Sequence, residues 1–287
     1  MALQLPRTLF RAIPRTFQKP ILPLLAASSR SLSTQFSPQA YAPDAQYSSD
    51  HVSKLLKTSI LSEFSEQEAK APCGSESFLI NPFGILYSEI TASSQIKVGA
   101  DGSVKHSGVT DGLFGINDAG FVIHSAIHRA RPDLQSVMHC HYPSAAGVSS
   151  LKQGFLELAQ TSHQVGPITY HDYQGVVIDR NEQKSLSEDM GDKNIMFLRN
   201  HGVITARPSI GAAWYLMYQL LEATDIQSHA SACALGDVGN LHMPSDQTVN
   251  KTYEVMHKKD FSGAAYGLKE LSAYMRLLDK IDASYRI

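Results

Sequence analysis

Short apolar runs of strand length alternate with helical patterns along this chain, and this alternation limits the fold more than any other feature. The runs stop at turn residues, which are Asn81-Pro82, Gly99, Pro143 and Asn200-His201-Gly202. Helical spacing of apolar residues is clearest over 118–131 and from Ile210 to about Ala234. Because strands and helices alternate without a regular βαβ period, the pattern favours an α/β fold, a three-layer α/β/α sandwich around a mainly antiparallel sheet.

Some of these elements are predicted in more detail. Two strands flank the turn at Asn81-Pro82 within 78–90, and a hairpin turns at Asp101-Gly102. A polar helix is predicted over 53–70 and a strand over 168–178. Two further helices are predicted, one from Pro143 to Gln153 and one from Tyr266 to Ile281.

Residues 1–43 differ in composition from the rest of the chain. They hold Arg7, Arg11, Arg15, Lys19 and Arg30 but no Asp or Glu. An Arg-rich, acid-poor head is typical of a mitochondrial transit peptide, and a disordered basic tail without a targeting role is the alternative. We therefore expect a mitochondrial matrix location, or otherwise a cytoplasmic one. The remainder is divided into a main domain at 44–243 and a C-terminal helical extension at 244–287.

Charge and cysteine content argue against several classes of protein. Five of the 25 basic residues lie in 1–43, so the remainder carries 20 basic against 27 acidic residues. An acidic body without a basic stripe argues against a nucleic-acid partner, and no run of about 18 apolar residues is present to span a membrane. Cys73, Cys140 and Cys233 are odd in number and widely spaced, so they predict neither a disulfide framework nor a Cys-x-x-Cys metal site.

A pair of histidines ends one of the predicted strands. Side chains at i and i+2 of a strand share a face, so His139 and His141 would point to one side and Cys140 to the other. Two neutral imidazoles can hold a divalent ion such as zinc, but a third ligand is needed. His201 is the candidate because it follows a buried strand in an Asn-His-Gly turn. The alternative is a pair of polar strand residues that bind no metal.

Other polar residues give weaker indications. His124 and His128 lie four apart on a predicted helix, but the Glu of an H-E-x-x-H metal site is missing, so we expect structural or solvent-facing roles for them. Tyr170, His171 and Tyr173 are candidate catalytic residues, because a group of this kind beside a metal can donate a proton.

Five segments, in order along the chain, resemble the class II aldolase/adducin family, and in particular its adducin-like branch. They are INPFGILYSEITASS, INDAGFVIHSAIHRARPD, VMHCHYPSAAGVSSL, YHDYQGVVID and LRNHGVIT. The resemblance covers about Ser75 to Ala234. It implies an α/β/α sandwich that often assembles as a homotetramer, with active sites between subunits.

The resemblance also implies a metal site. In enzymes of this family, such as fuculose-phosphate aldolase, zinc is held by the histidines of H-x-H and of the His-Gly turn, which here are His139, His141 and His201. Three imidazoles also suit Mn²⁺, Fe²⁺ or Co²⁺. The family's acid/base glutamate, counted back from Arg131-Pro132-Asp133, is replaced by Gly120. Its phosphate-binding turn is altered to Asn81-Pro82-Phe83-Gly84, so we expect a non-phosphorylated substrate.

Two functions are consistent with these residues. The first is a metal-dependent aldolase-type lyase that acts on a small hydroxy-carbonyl substrate, a sugar or hydroxy-acid, through a metal-stabilised enediolate. The second is a non-catalytic, adducin-like assembly domain. The long tail with a basic end through which adducins contact actin and spectrin has no counterpart in this sequence, so we expect neither partner. Retention of all three histidines favours the lyase.

Overall fold

The computed structural model describes residues 77–110, 112–172, 175, 182–258 and 265–287. The predicted basic head at 1–43 and the polar helix over 53–70 lie outside these residues. Among the helices described, none is both long enough and apolar enough to cross a bilayer.

Two sheets are present in the described residues. The first is antiparallel, with the strand order β1-β2-β3, and consists of β1 (Ser77–Ile80), β2 (Ile96–Gly99) and β3 (Val104–His106). The predicted turn joins β2 to β3: the amide of Gly99 donates to the carbonyl oxygen of Ser103 at 2.8 Å, and Gly102 has a φ of 86°.

The second sheet carries the candidate site. Its order is β4-β7-β6-β5, with β4 (Ser136–Cys140), β5 (Thr169–His171), β6 (Ile195–Leu198) and β7 (Gly202–Arg207). The β4–β7 and β6–β7 pairs are antiparallel and the β5–β6 pair is parallel. The sheet is therefore mainly antiparallel, as predicted.

Seven α-helices accompany these strands in the described ranges. They are α1 (Asp118–Ala130), α2 (Pro143–Ser149), α3 (Gln160–His163), α4 (Glu182–Met190), α5 (Ile210–Cys233), α6 (Asp246–His257) and α7 (Leu268–Ile281). The starts of α1 and α5 are capped, because the side chains of Asn117 and Ser209 accept hydrogen bonds from backbone amides of the first turn.

Helices cover both faces of the second sheet, which confirms the predicted three-layer sandwich. Met196 and Leu198 of β6 pack in a core with residues of α1 and α4. Ile195 and Phe197, which point the other way, pack in a second core with residues of α2 and α5. This alternation is the two-residue period of a strand buried on both faces.

Four predicted elements differ from those observed. The segment 85–90 contains the 3-10 helix Tyr87–Glu89 instead of a strand, because the Glu89 carboxylate accepts a hydrogen bond from the Leu86 amide at 2.7 Å. The helix predicted to reach Gln153 ends at Ser149. The strand predicted over 168–178 covers Thr169–His171 in its described part. The last helix begins at Leu268, after Gly267 in the left-handed region at φ 76°.

Candidate metal centre

Three imidazole rings meet at one end of β4 and β7. The Nε2 atom of His141 lies 2.9 Å from Nε2 of His139 and 2.7 Å from Nε2 of His201. The possible ligand atoms of the three residues all lie within 4.8 Å of one another. His139 and His201 are partly buried, whereas His141 is exposed. The structure therefore brings together the three histidines that the sequence predicts as ligands, with one side of the cluster open to solvent.

Burial and one hydrogen bond to a carbonyl favour neutral imidazoles in this cluster. Nδ1 of His139 lies 3.0 Å from the carbonyl oxygen of Val203, and since a carbonyl only accepts, Nδ1 carries the proton and Nε2 keeps its lone pair. Burial, followed by the neighbouring rings of His201 and His141, lowers the pKa of His139 to about 3. Burial and then His141 also lower the pKa of His201. Neutral imidazole is the form that binds a metal.

Hydrogen bonds between the rings cannot pair all three Nε2 atoms. An imidazole nitrogen offers either one N–H or one lone pair, yet Nε2 of His141 faces two other Nε2 atoms. A single cation shared by the three nitrogens would satisfy all of them. Zinc–nitrogen bonds of about 2.0–2.1 Å place tetrahedral ligand atoms about 3.3 Å apart, so the rings need to separate by only a few tenths of an ångström. The donor set therefore fits a divalent metal.

The turn that carries His201 depends on two neighbouring residues. Asn200 adopts the left-handed region at φ 56°, which asparagine tolerates better than most residues. A Cβ atom at Gly202 would overlap the carbonyl oxygen of Cys140 and lie 3.1 Å from Cδ2 of His141. Glycine therefore allows β7 to approach β4 closely enough for the rings to meet. On the opposite face, Sγ of Cys140 contacts Sδ of Met217 at 3.7 Å, as the strand alternation predicts.

The structure places Tyr170 away from the imidazoles. Its side chain packs in the core beside α2 and α5, on the face opposite to His139, and its hydroxyl oxygen accepts a hydrogen bond from the Phe155 amide at 2.9 Å. The guanidinium of Arg199 lies over the Tyr170 ring at 4.0 Å. Tyr170 also lines a cavity of about 370 Å³, together with Gly166 and other residues. Tyr173 lies outside the described residues.

His171 is also separate from the cluster. It lies on β5, which β6 and β7 separate from β4, a distance of about 14 Å at 4.7–4.9 Å per strand. Its Nδ1 lies 2.7 Å from the Asp189 carboxylate and its Nε2 lies 3.3 Å from that of Glu182, and the ring is only 2% exposed. These contacts join β5 to α4. The sequence does not predict either carboxylate as a partner of His171, because Asp189 follows it by 18 residues and Glu182 by 11.

No carboxylate belongs to the cluster within the described part of the chain. Gly120 lies in the first turn of α1, where its amide donates to the side-chain oxygen of Asn117 at 3.3 Å. His124, one turn further along α1, is near enough for its charge to lower the pKa of His139. Burial, and then His128, lower the pKa of His124 itself to about 4. The sequence predicts a structural or solvent-facing role for His124, and the structure shows it as a neutral neighbour of the candidate centre.

Comparisons with known sequences agree on one family. Residues 50–228 match the family described as the class II aldolase and adducin N-terminal domain. An adducin-related protein of Schizosaccharomyces pombe is 57% identical over 279 residues, covering 87% of this chain and 86% of that protein. Alpha-adducin of Rattus norvegicus is 37% identical over 213 residues, covering 72% of this chain. The chain spans only 29% of the length of that adducin.

A solved structure shares the fold at comparable identity. The crystal structure of an aldolase II superfamily protein from Pseudomonas syringae superposes with a TM-score of 0.67 and 37% sequence identity. The match covers 75% of this chain and 83% of that chain.

Proposed function

Since the chain belongs to the class II aldolase and adducin family, we propose that it is a metal-dependent lyase that cleaves a small hydroxy-carbonyl compound in the aldol sense. The observation that carries this proposal is the convergence of three Nε2 atoms on one point at the end of β4 and β7. The family membership alone does not distinguish an enzyme from an assembly domain, because the matching relatives include an adducin.

Each residue of the cluster has a role in this proposal. His139, His141 and His201 would hold the cation, with zinc the first candidate and Mn²⁺, Fe²⁺ or Co²⁺ the others. When bound, the cation supplies Lewis acidity that stabilises the enediolate left when the C–C bond next to a hydroxyl breaks. The carbonyl oxygen of Val203 orients the His139 ring. The exposure of His141 leaves an approach for a small substrate from solvent.

Proton transfer needs a group beyond these three. Gly120 has no side chain to carry a proton, and Tyr170 and His171 are held in other contacts. We therefore assign this step to water or to a residue outside the described ranges, of which Tyr173 is the candidate from the sequence. The proposal includes a homo-oligomer of this chain, which light scattering on the purified protein would measure.

The test is metal content. Purified full-length chain should contain about one equivalent of a divalent metal by elemental analysis. His139→Ala and His201→Ala should lose it while keeping the wild-type circular dichroism spectrum. His242→Ala, which removes an exposed imidazole elsewhere, is the matched control. Wild-type protein that folds fully and binds no added zinc, manganese, iron or cobalt would contradict the proposal.

A non-catalytic assembly domain is the second candidate, and Gly120 in place of the family glutamate is the observation that favours it. The two functions differ in activity once metal is bound. Metal-loaded protein screened against non-phosphorylated hydroxy-acids and ketoses should release a carbonyl product only if the first proposal is right, and His139→Ala should abolish that release.

A further inference from the structure

A second polar cluster lies at the other end of β7 from the metal centre. It consists of Arg207, the last residue of β7, His257, the last residue of α6, the side chain of Tyr266, and Gln164, whose backbone carbonyl contacts His257. Gly202 begins the same strand, so at about 3.4 Å per residue Arg207 lies about 17 Å from the imidazole end. The two groups of residues are therefore separate sites.

Unpaired polar atoms concentrate in this second cluster. Within the described residues, three buried side-chain atoms lack a hydrogen-bond partner, and they are Gln164 Oε1, Arg207 Nε and Tyr266 Oη. Gln164 is only 7% exposed. Buried polar atoms are nearly always hydrogen-bonded, so each exception needs a physical explanation. Arg207 and Tyr266 are neighbouring side chains, because the guanidinium carbon lies 5.2 Å from the centre of the Tyr266 ring, so one polar partner would satisfy two of the three atoms.

The charge of the cluster identifies the sign of that partner. Among the described residues, no carboxylate pairs with Arg207, whose guanidinium instead contacts Nδ1 of His257 at 3.5 Å and lies 5.2 Å from the centre of the Tyr266 ring. His257 adds no negative charge: its Nε2 donates to the Gln164 carbonyl oxygen at 2.8 Å, which leaves a lone pair on Nδ1. A half-buried guanidinium without a counter-charge is unfavourable unless an anion accompanies it.

We propose that this cluster binds a small oxyanion, a carboxylate or phosphate group. The unpaired Nε–H of Arg207 and the hydroxyl of Tyr266 donate to its oxygens, in the geometry for which the planar guanidinium is suited. Two donors on neighbouring side chains suit an anion with several acceptor oxygens, a carboxylate or a phosphate, better than a simple anion such as chloride. The bound anion links α6 and Tyr266 to the end of β7.

The experiment measures anion binding by full-length His139→Ala protein, in which the metal centre is disabled, so that its outcome is independent of the proposed lyase function. L-malate and inorganic phosphate are titrated separately by isothermal calorimetry, with sodium chloride at equal ionic strength as the reference. Saturable binding of either ligand, absent with chloride, is expected. A higher affinity for malate identifies a carboxylate site, and a higher affinity for phosphate identifies a phosphate site.

Variants locate the site. Arg207→Gln, added to the His139→Ala protein, should abolish saturable anion binding. Lys251→Gln in the same protein removes an exposed positive charge from α6 and should leave the affinity for the anion unchanged. If the Arg207 variant does not fold, Tyr266→Phe removes one donor and should weaken binding about tenfold. Absence of binding by the parent protein, equal affinity in Arg207→Gln, or equal affinity in Tyr266→Phe would each overturn the proposal.

Discussion

The Nδ1–H group of His139 donates to the carbonyl oxygen of Val203 across the β4–β7 pair at 3.0 Å. This bond directs Nε2 of His139 toward the other two imidazoles. Val203 is paired with Cys140 in the sheet and is fully buried, so the ring orientation depends on the strand register and on the spacing of the two strands. A substitution that changes this spacing should therefore disturb the centre without replacing a ligand.

Gly202→Ala makes that change. The new Cβ would overlap the carbonyl oxygen of Cys140, so we expect the free energy of unfolding to fall by about 1–3 kcal/mol and bound metal to be lost. Chemical denaturation and elemental analysis measure the two effects. Gly147→Ala is the control, because nothing lies within 4 Å of its Cβ and it sits in α2; it should raise stability by about 0.5–1 kcal/mol. Full metal occupancy in Gly202→Ala would show that strand spacing does not control the site.

Gly120→Glu introduces the acid that the family resemblance places at this position. The surrounding space allows it, since a Cβ at Gly120 meets only Asn117, at 3.7 Å. Gly120 is the third residue of α1 after the cap at Asn117, a position that favours glutamate. We expect unchanged or slightly higher stability and a higher rate of metal-dependent aldol cleavage. Gly120→Gln is the control of the same size without the acid, and a rate increase in both variants would rule out a proton-transfer role.

His171→Ala distinguishes a structural role from a catalytic one. Removing the ring leaves the buried Glu182 carboxylate without its imidazole partner, so we expect the free energy of unfolding to fall by about 3 kcal/mol. Metal content should stay at the wild-type value, because β4 and β5 are at opposite edges of the sheet. Tyr170→Phe is the comparison, with a loss of about 1 kcal/mol for its bond to the Phe155 amide. Loss of metal in His171→Ala would contradict this assignment.

Acid should destabilise the metal-free protein through His124. The pKa of this residue is about 4 in the folded chain against the ordinary 6.5 when unfolded, so between these values the unfolded chain binds a proton that the folded chain does not. Stability is therefore complete above about pH 6.5 and is lost as the pH falls toward 4. Melting temperatures measured in the presence of a chelator from pH 7.5 to 4.5 should show this fall.

His124→Gln should make the same pH dependence shallower, whereas His242→Gln should not, because His242 is exposed. The lowered pKa values of His139, His201 and His257 act in the same direction, so a residual slope is expected. Identical slopes in wild type and His124→Gln would exclude a contribution from His124.

Local patterns predicted much of the three-histidine grouping, because two of its three members are close in sequence. The two-residue spacing of His139 and His141 places both rings on one side of the strand. The turn before Gly202 places His201 at the end of a strand. Family resemblance then supplied the pairing of the two segments. The helices α1 and α5 were predicted for the same reason, since the apolar spacing that indicates each helix lies within the helix itself.

Contacts between distant segments could not be predicted in this way. The strand order β4-β7-β6-β5 places β5 far from β4, and nothing in the sequence around His171 indicates that order. The partners Glu182 and Asp189 reach His171 only because α4 packs on β5. The cluster of Arg207, Gln164 and Tyr266 likewise joins segments that are 43 or more residues apart, so its members look unrelated in the sequence.

Only three residues connect β6 to β7, whereas 64 positions separate His139 from its hydrogen-bond partner Val203. Contacts close in sequence form early in folding, and distant ones form later because a longer loop must close. We therefore expect the β6–β7 hairpin that carries His201 to form early, and His139 and His141 to join it only when β4 pairs with β7. The time course of metal uptake by a refolding chain would therefore report the moment at which the sheet is completed.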